Sequence, residues 1–227
     1  VTPNAKEAEL LTGMKIDSVK DMENAAKQLR KRAKMVLVKG GDTKIDFDVL
    51  AMQDKLVKFP IERIKTQNTH GTGCSLATAI ISYYMQGMDF ETAVAKGRGF
   101  IRTAIKAGYS LGEKFGTIDQ LAVLRKEAFR YTVLKELYDA YLFLREKEVG
   151  FLVPEIQSNL VYILPFGEKH EDVAGFPSRI IRNKDNIFTA FYPEFGASKH
   201  MANVVLAANR YFPEIRAAMN IRYSEEI

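Results

Sequence analysis

Cysteine is almost missing from this sequence: Cys74 is the only one in 227 residues. One thiol cannot close an internal disulfide, so the fold is not stapled and a reducing, cytoplasmic setting is expected. Long apolar runs are missing too. None approaches the roughly 20 residues that a membrane-spanning helix needs, and no basic stretch leads into a short apolar one as in a secretory signal. The sequence has no internal repeat and no low-complexity segment. Histidine is scarce, and His70, His170 and His200 stand at no metal-ligand spacing, which argues against a zinc site. Excess charge is small. The formal net charge is +5, with 19 basic and 14 acidic residues in 1–122 and 14 of each in 123–227. No basic stripe is interleaved with aromatics, so nucleic acid is not an expected partner, whereas small anionic substrates are. The chain opens Val-Thr-Pro-Asn without methionine, so a piece of a longer protein is expected.

What is present is the profile of a globular chain, 47% hydrophobic and 27% charged, long enough for one large or two small domains. Ser18 followed three residues later by Asp21 predicts a capped helix over 18–33, with Val19, Met22, Ala25, Ala26 and Leu29 on its apolar face. "MVLVKGG" reads as a buried strand entering a glycine turn, and "FDVLAM" and "KLVKF" as a hairpin. A helix follows "NTHGTGC", and Asp89 caps another over 90–107, which Gly108 ends. Alternating strands and helices predict α/β layers. "LGEKFGTIDQ" reads as a loop, and a helix is expected over about 123–147. Beyond Gly150 the pattern changes to strands at "FLVP", "NLVYILPF", "RIIR" and "IFTAFY", the last two joined through "NKDN". "SKHMANVVLAANRYF" is a helix. A domain boundary is placed near 122, giving domains 1–122 and 123–227.

Two places carry candidate chemistry. "HGTGC" precedes a helix, where unpaired backbone N–H groups and the helix dipole attract anions. Glycines let a phosphate come close to such a backbone. Cys74 there could act as a base toward a hydroxyl or only line a pocket; the plainer alternative is a glycine turn with a small buried cysteine. In the second half, "FGASKHMANVV" places Ser198 as an N-cap and His200 in the first helical turn. Arg179 leads into an apolar pair, and its planar fork suits a phosphate, although an arginine ahead of a strand is also an ordinary surface residue. Asn159, Asn220 and Arg222 add polar groups at strand edges. Glu194 and Asp172 are weak candidates for holding a metal and read better as capping or surface acids.

"VTPNAKEAELLTG", "VLVKGG" and "NTHGTGCSLATAI" together resemble the C-terminal half of a hydroxymethylpyrimidine (phosphate) kinase of the ribokinase superfamily. That resemblance implies a partial ribokinase-like layered sheet domain. Cys74 would stand at the catalytic-base position, and Gly71, Thr72 and Gly73 would form the anion hole. Asn4 and Glu7 would lie near the Mg-phosphate region, and Lys39 beside the nucleotide. ATP is the implied cofactor of the parent protein. The half carrying most pyrimidine contacts would precede Val1, so the chain as given is expected not to phosphorylate hydroxymethylpyrimidine.

"VPEIQSNLVYILP", "DVAGFPSRI", "PEFGASKHMANVVLAA" and "IRAAMNIRY" resemble a ThiN-type thiamine-phosphate synthase domain over about 129–227. The resemblance implies a second α/β domain that joins hydroxymethylpyrimidine diphosphate to hydroxyethylthiazole phosphate, with Mg2+ on the diphosphate. It makes Arg179 and His200 active-site residues, and Asn159, Ser198, Asn220 and Arg222 substrate contacts. Thiamine precursors are the expected small-molecule partners, together with homo-oligomer formation and no membrane. The alternatives are a ligand-sensing module without catalysis, which normally follows a helix-turn-helix not found here, a pyrimidine kinase as the main activity, and a purely structural dimerisation unit.

Overall fold

The computed structural model describes residues 1–53, 55–110, 112 and 115–223. The chain divides into two compact units, 1–120 and 121–227. No helix among the described residues is long and apolar enough to cross a membrane.

The first unit contains α1 (Ala5–Thr12), α2 (Val19–Arg30), β1 (Val36–Val38), β2 (Phe47–Ala51), β3 (Leu56–Pro60), α3 (Thr72–Met85) and α4 (Phe90–Lys106). Both predicted caps form. Ser18 and Asp21 make a reciprocal capping box on α2, and Asp89 Oδ1 accepts from the Thr92 amide at the start of α4. The predicted hairpin forms as β2 and β3, and β1 joins β2 on the other side. Side chains alternate across the strands. Val36, Val38, Val49 and Ala51 pack against α1 and α2, while Leu37 and Leu50 pack with Leu76 and Ile80 of α3 and Val94, Ile101 and Ala104 of α4. A sheet covered on both faces requires uninterrupted apolar strands, which is why "VLV" carries no polar residue. Truncating fully buried Leu50 to alanine would cost about 2–5 kcal/mol.

Pairing within the layered sheet of the first unit is mostly antiparallel. The three named strands pair antiparallel. Parallel character survives at one edge, where Leu37 and Lys39 donate to the carbonyls of Val1 and Pro3, and Asn4 bridges Lys39 in parallel. Helix α1 was not foreseen. Its eight residues are too few for a periodic signal, but Asn4 and Glu7 form a capping box that starts it and left-handed Gly13 ends it.

The second unit contains α5 (Ala122–Glu146), a 3-10 turn (Val149–Leu152), β4 (Leu160–Ile163), a second 3-10 turn (His170–Asp172), β5 (Val173–Gly175), β6 (Ile181–Asn183), β7 (Asn186–Phe188), β8 (Glu194–Phe195), α6 (Lys199–Tyr211) and β9 (Ala217–Met219). Four strands form an antiparallel sheet in the order β8-β5-β4-β9, and β6-β7 is a separate hairpin whose turn lies at the predicted "NKDN". The layering repeats that of the first unit. Val133, Leu137 and Tyr141 of α5 pack with Ala174, Phe176, Ile180 and Ile187 in one core. Met201, Ala202, Val205 and Leu206 of α6 pack with Val161, Ile163 and Val173 in another.

Several strand expectations fail here for local reasons. "FLVP" is not a strand but overlaps the first 3-10 turn. Gly150 donates to the Asp185 carbonyl, and a Cβ on it would meet the Asn186 carbonyl oxygen at 2.7 Å, so this segment rests on the hairpin turn. "RIIR" enters a named strand only at Ile181, with Ile180 in an isolated bridge to Ser158, and "IFTAFY" stops at Phe188. Of the predicted loop 111–120, residues 111, 113 and 114 lie outside the described residues; the remainder carries only isolated bridges, at Thr117.

Candidate functional sites

In the first unit the glycine loop is assembled by backbone. Gly71 is the N-cap of α3 at φ 91°, a left-handed conformation that glycine adopts without a Cβ penalty. No side chain caps this end, so the first-turn amides of Thr72, Gly73 and Cys74 start a helix whose dipole favours an anion. Lys39 reaches across from the end of β1. Its Nζ lies 3.4 Å from where a Cβ on Gly73 would sit, so an ammonium stands directly over the loop. Behind the loop, Asn68 Nδ2 donates to the Gly108 carbonyl, and Ser110 Oγ donates to Asn68 Oδ1.

The predicted residues of this region divide into two groups. Lys39, Gly71, Thr72, Gly73 and Cys74 come together. Cys74 is exposed, so the alternative of a buried structural cysteine does not hold. Asn4 is brought beside Lys39 by its bridge, but its side chain accepts from the Glu7 amide, and the Glu7 carboxylate accepts from the Asn4 amide at 2.7 Å. Both polar groups are thus engaged in starting α1.

In the second unit the hub is the segment 156–159. Ile156 O accepts from Arg179 Nη1 at 2.6 Å, and Gln157 O accepts from Asn220 Nδ2 at 2.9 Å. Ser158 exchanges both backbone bonds with Ile180. The Asn159 amide donates to Asn220 Oδ1 at 2.7 Å, and its side chain brackets Phe176 by donating to the carbonyl and accepting from the amide. Arg179 and Gln157 both have positive φ, 61° and 69°. Such strain in bulky residues persists only where surrounding bonds over-determine it, and it concentrates at functional sites. Ser158 is fully buried, and its hydroxyl has no partner among the described residues.

Gly175 joins this hub to the start of α6. A Cβ there would sit 3.1 Å from Val161 Cγ1, 3.4 Å from Asn159 Oδ1 and 3.6 Å from Ser198 Cβ, so Gly175 lies between Asn159 and Ser198 and an added methyl would press chiefly on Val161. Ser198 occupies the N-cap position as predicted, but its hydroxyl makes no capping bond. His200 lies in the first turn of α6 and is exposed, as is Arg179. The structure therefore gathers Arg179, Asn159 and Asn220 at 156–159, with Ser198 on the other side of Gly175. Arg222 is tied through its amide to Leu152 O, outside the hub. Sequence reasoning missed Gln157 and Gly175. A glutamine at positive φ leaves no sequence signal, but the "AGFP" glycine at the end of a strand hinted at close approach.

No group of three or more histidine, cysteine or acidic side chains able to hold a metal occurs among the described residues. Asp172 is buried and engaged, pairing with Lys126 Nζ at 2.8 Å and accepting from the Glu168 and Lys169 amides. Glu194 lies exposed on β8. These residues do not fit a resident Mg2+ site.

Comparisons with known proteins match both units. A family described as phosphomethylpyrimidine kinase matches residues 1–119, and one described as thiamine-phosphate synthase ThiN matches residues 136–227. The bifunctional thiamine biosynthesis protein ThiDN of Methanocaldococcus jannaschii is 38% identical over 160 residues, which is 69% of this chain and 36% of the relative. A hydroxymethylpyrimidine/phosphomethylpyrimidine kinase of Staphylococcus aureus is 36% identical over 132 residues, 56% of this chain and 48% of the relative. Among solved structures, an ADP complex of Bacillus subtilis pyridoxal kinase superposes with a TM-score of 0.51 at 32% identity, covering 54% of this chain and 48% of that one. The chain thus spans less than half the length of each of these relatives.

Proposed function

We propose, for a chain that belongs to the phosphomethylpyrimidine kinase family through residues 1–119 and carries a ThiN-type domain at 136–227, that its second unit makes thiamine phosphate and its first unit contributes the anion-binding part of a pyrimidine kinase. The observation that carries the synthase reading is the hub at 156–159, where exposed Arg179 is held in a left-handed conformation inside the ThiN-matched segment.

In the synthase reaction the CH2–O bond of hydroxymethylpyrimidine diphosphate breaks, pyrophosphate leaves with the electron pair, and the thiazole nitrogen of hydroxyethylthiazole phosphate bonds to the methylene carbon. Arg179 binds the departing pyrophosphate. One of its nitrogens is fixed on Ile156 O, which sets the plane of the guanidinium and leaves other N–H groups for phosphate oxygens. His200, in the first turn of α6, binds a phosphate or gives it a proton. Asn159 and Asn220 position the hub, and Ser198 and Arg222 supply further polar contacts to the substrates. Mg2+ would enter as part of the metal-diphosphate substrate and would screen its charge.

In the first unit, Lys39 and the amides of 71–74 hold phosphate groups of ATP, and Cys74 takes the proton from the pyrimidine hydroxyl when the rest of the kinase is present. Asn4 and Glu7 flank this phosphate region.

The deciding experiment incubates this chain with hydroxymethylpyrimidine diphosphate, hydroxyethylthiazole phosphate and Mg2+ and measures thiamine phosphate. Product that disappears with Arg179→Ala supports the reading. Thiamine phosphate binding without turnover would favour the ligand-sensing alternative, and neither binding nor turnover would refute both. For the first unit, ADP binding that Gly73→Val abolishes is expected, since a branched side chain there displaces the Lys39 ammonium.

A further inference from the structure

A cluster of cations outside both sites has a shape of its own. Residues 27–34 read KQLRKRAK, five basic residues and no acid. They lie at the C-terminal end of α2. There a cleft of about 410 Å³ is lined by Lys27, Lys31 and Arg32, with Asn24 and Gln28 adding polar groups and Leu11 and Leu29 apolar surface. That volume falls within the roughly 300–1,000 Å³ of small-molecule sites.

The ordinary account of cations here is the helix dipole, which favours positive charge in a last turn. It covers part of the cluster. Arg30 Nη1 closes on the Ala33 carbonyl, as that account expects. It does not explain why Lys27 in the last turn and Lys31 at the C-cap stand four residues apart, a like-charge spacing that destabilises a helix end. Nor does it explain the missing acids. Elsewhere the same helix balances its charges: Glu23 pairs with both Lys20 and Lys58. Around the cleft, none of Lys27, Lys31 and Arg32 has an acidic partner within ion-pair distance among the described residues.

We propose that this cleft binds a small phosphorylated molecule carrying at least two adjacent phosphates. Three unpaired cations on one rim match a di- or triphosphate chain. Asn24 supplies an amide for a phosphate oxygen or a polar ring substituent. Leu11 and Leu29 give an apolar surface for a compact organic group, which a long polyanion lying across the rim would not use. The site is separate from the loop under Lys39 and does not depend on the synthase reading.

The test uses the whole chain and inorganic tripolyphosphate as probe, followed by amide shifts in NMR and by calorimetry at two salt concentrations. Saturable shifts at 24–32 are expected, with affinity falling as salt rises. The triple variant Lys27→Gln, Lys31→Gln, Arg32→Gln should weaken binding at these amides at least tenfold. All three side chains are solvent-facing or nearly so, and unchanged circular dichroism confirms that the variant folds. Shifts at 71–74 and at 179–200 should persist in the variant, and thiamine phosphate formation should be unaffected. The absence of saturable shifts at 24–32, or equal affinity in the variant, overturns the proposal. A single-stranded RNA that displaces the probe at far lower concentration overturns the small-molecule assignment.

Discussion

The two units solve the same architectural problem and build their sites from different material. Each places a small antiparallel sheet between helices, and each ties a helix to the sheet region with one largely buried ion pair. In the first, Asp48 accepts from the Gly40 amide and from Arg98 Nε. In the second, Asp172 accepts from two amides and pairs with Lys126. The sites differ. The first is made of backbone at a helix start, with one lysine brought over it. The second is a set of side chains hydrogen-bonded to one irregular segment. A backbone site depends on how closely chains pass one another, so it is damaged by added atoms. A side-chain site depends on polar partners, so it is damaged by removed ones.

The largest effect is expected in the side-chain site. On the synthase reading, Arg179→Ala should lower turnover by about 10²–10³-fold, the range for losing one group that stabilises developing charge. His200→Ala should lower it by about 10². Both side chains are exposed, so thermal midpoints should move little. A variant that unfolds would reveal a structural role and break the comparison.

Removing buried polar atoms comes next. Asn159 is 5% exposed, and Asn159→Ala leaves the Phe176 amide without its partner and its carbonyl with only the Arg179 amide at 3.3 Å. The second unit should lose about 2–4 kcal/mol in denaturant unfolding, with the first unit unchanged. The matching test by addition is Gly116→Ala in the first unit. Its Cβ would come to 1.9 Å from Asn68 Oδ1 and 2.5 Å from the Tyr109 carbonyl oxygen. A loss of about 3 kcal/mol is expected, as for an overpacked core position. Gly99→Ala on α4, where a Cβ meets nothing within 4 Å, should instead stabilise by up to about 1 kcal/mol.

The smallest effect is acid sensitivity of the first unit's helix caps. The Ser18 hydroxyl, with backbone amides, holds the Asp21 carboxyl below its ordinary value of 3.8, and Thr92 does the same for Asp89. A depressed folded-state pKa contributes stability that is present above about 3.8 and is lost as pH falls through the lower folded value. Asp21→Asn should flatten part of the decline in the first unit's melting temperature over that acid range. An unchanged profile would show the carboxylate to be idle.

Much of this was legible in the sequence where one local cause acts. Ser18 with Asp21, Asp89 before an apolar run, and NKDN between apolar stretches each specify a cap or a turn through atoms within four residues. Helices α2 to α6 could be read from these signals and from helical periodicity. Strands β5, β8 and β9 could not, because two or three residues show no period. The short "FLVP" run was misread for the complementary reason: its apolar residues serve a turn that rests on a distant hairpin.

The sequence by itself marked two candidate site neighbourhoods, one by glycines before an apolar helix and one by an arginine followed twenty-one residues later by a histidine at a helix start. It also carried the likeness to two enzyme families through ordered motifs. Only the tertiary structure decided which residues meet. Lys39 reaches Gly73 because β1 ends beside α3. Asn220 supports Asn159 across 61 positions because β9 pairs with β4. Asn4 bridges Lys39, and Glu7 closes the helix cap that Asn4 begins. Contacts of that kind depend on strand order and on loop closure over long separations, and no pattern within a short window of residues encodes them.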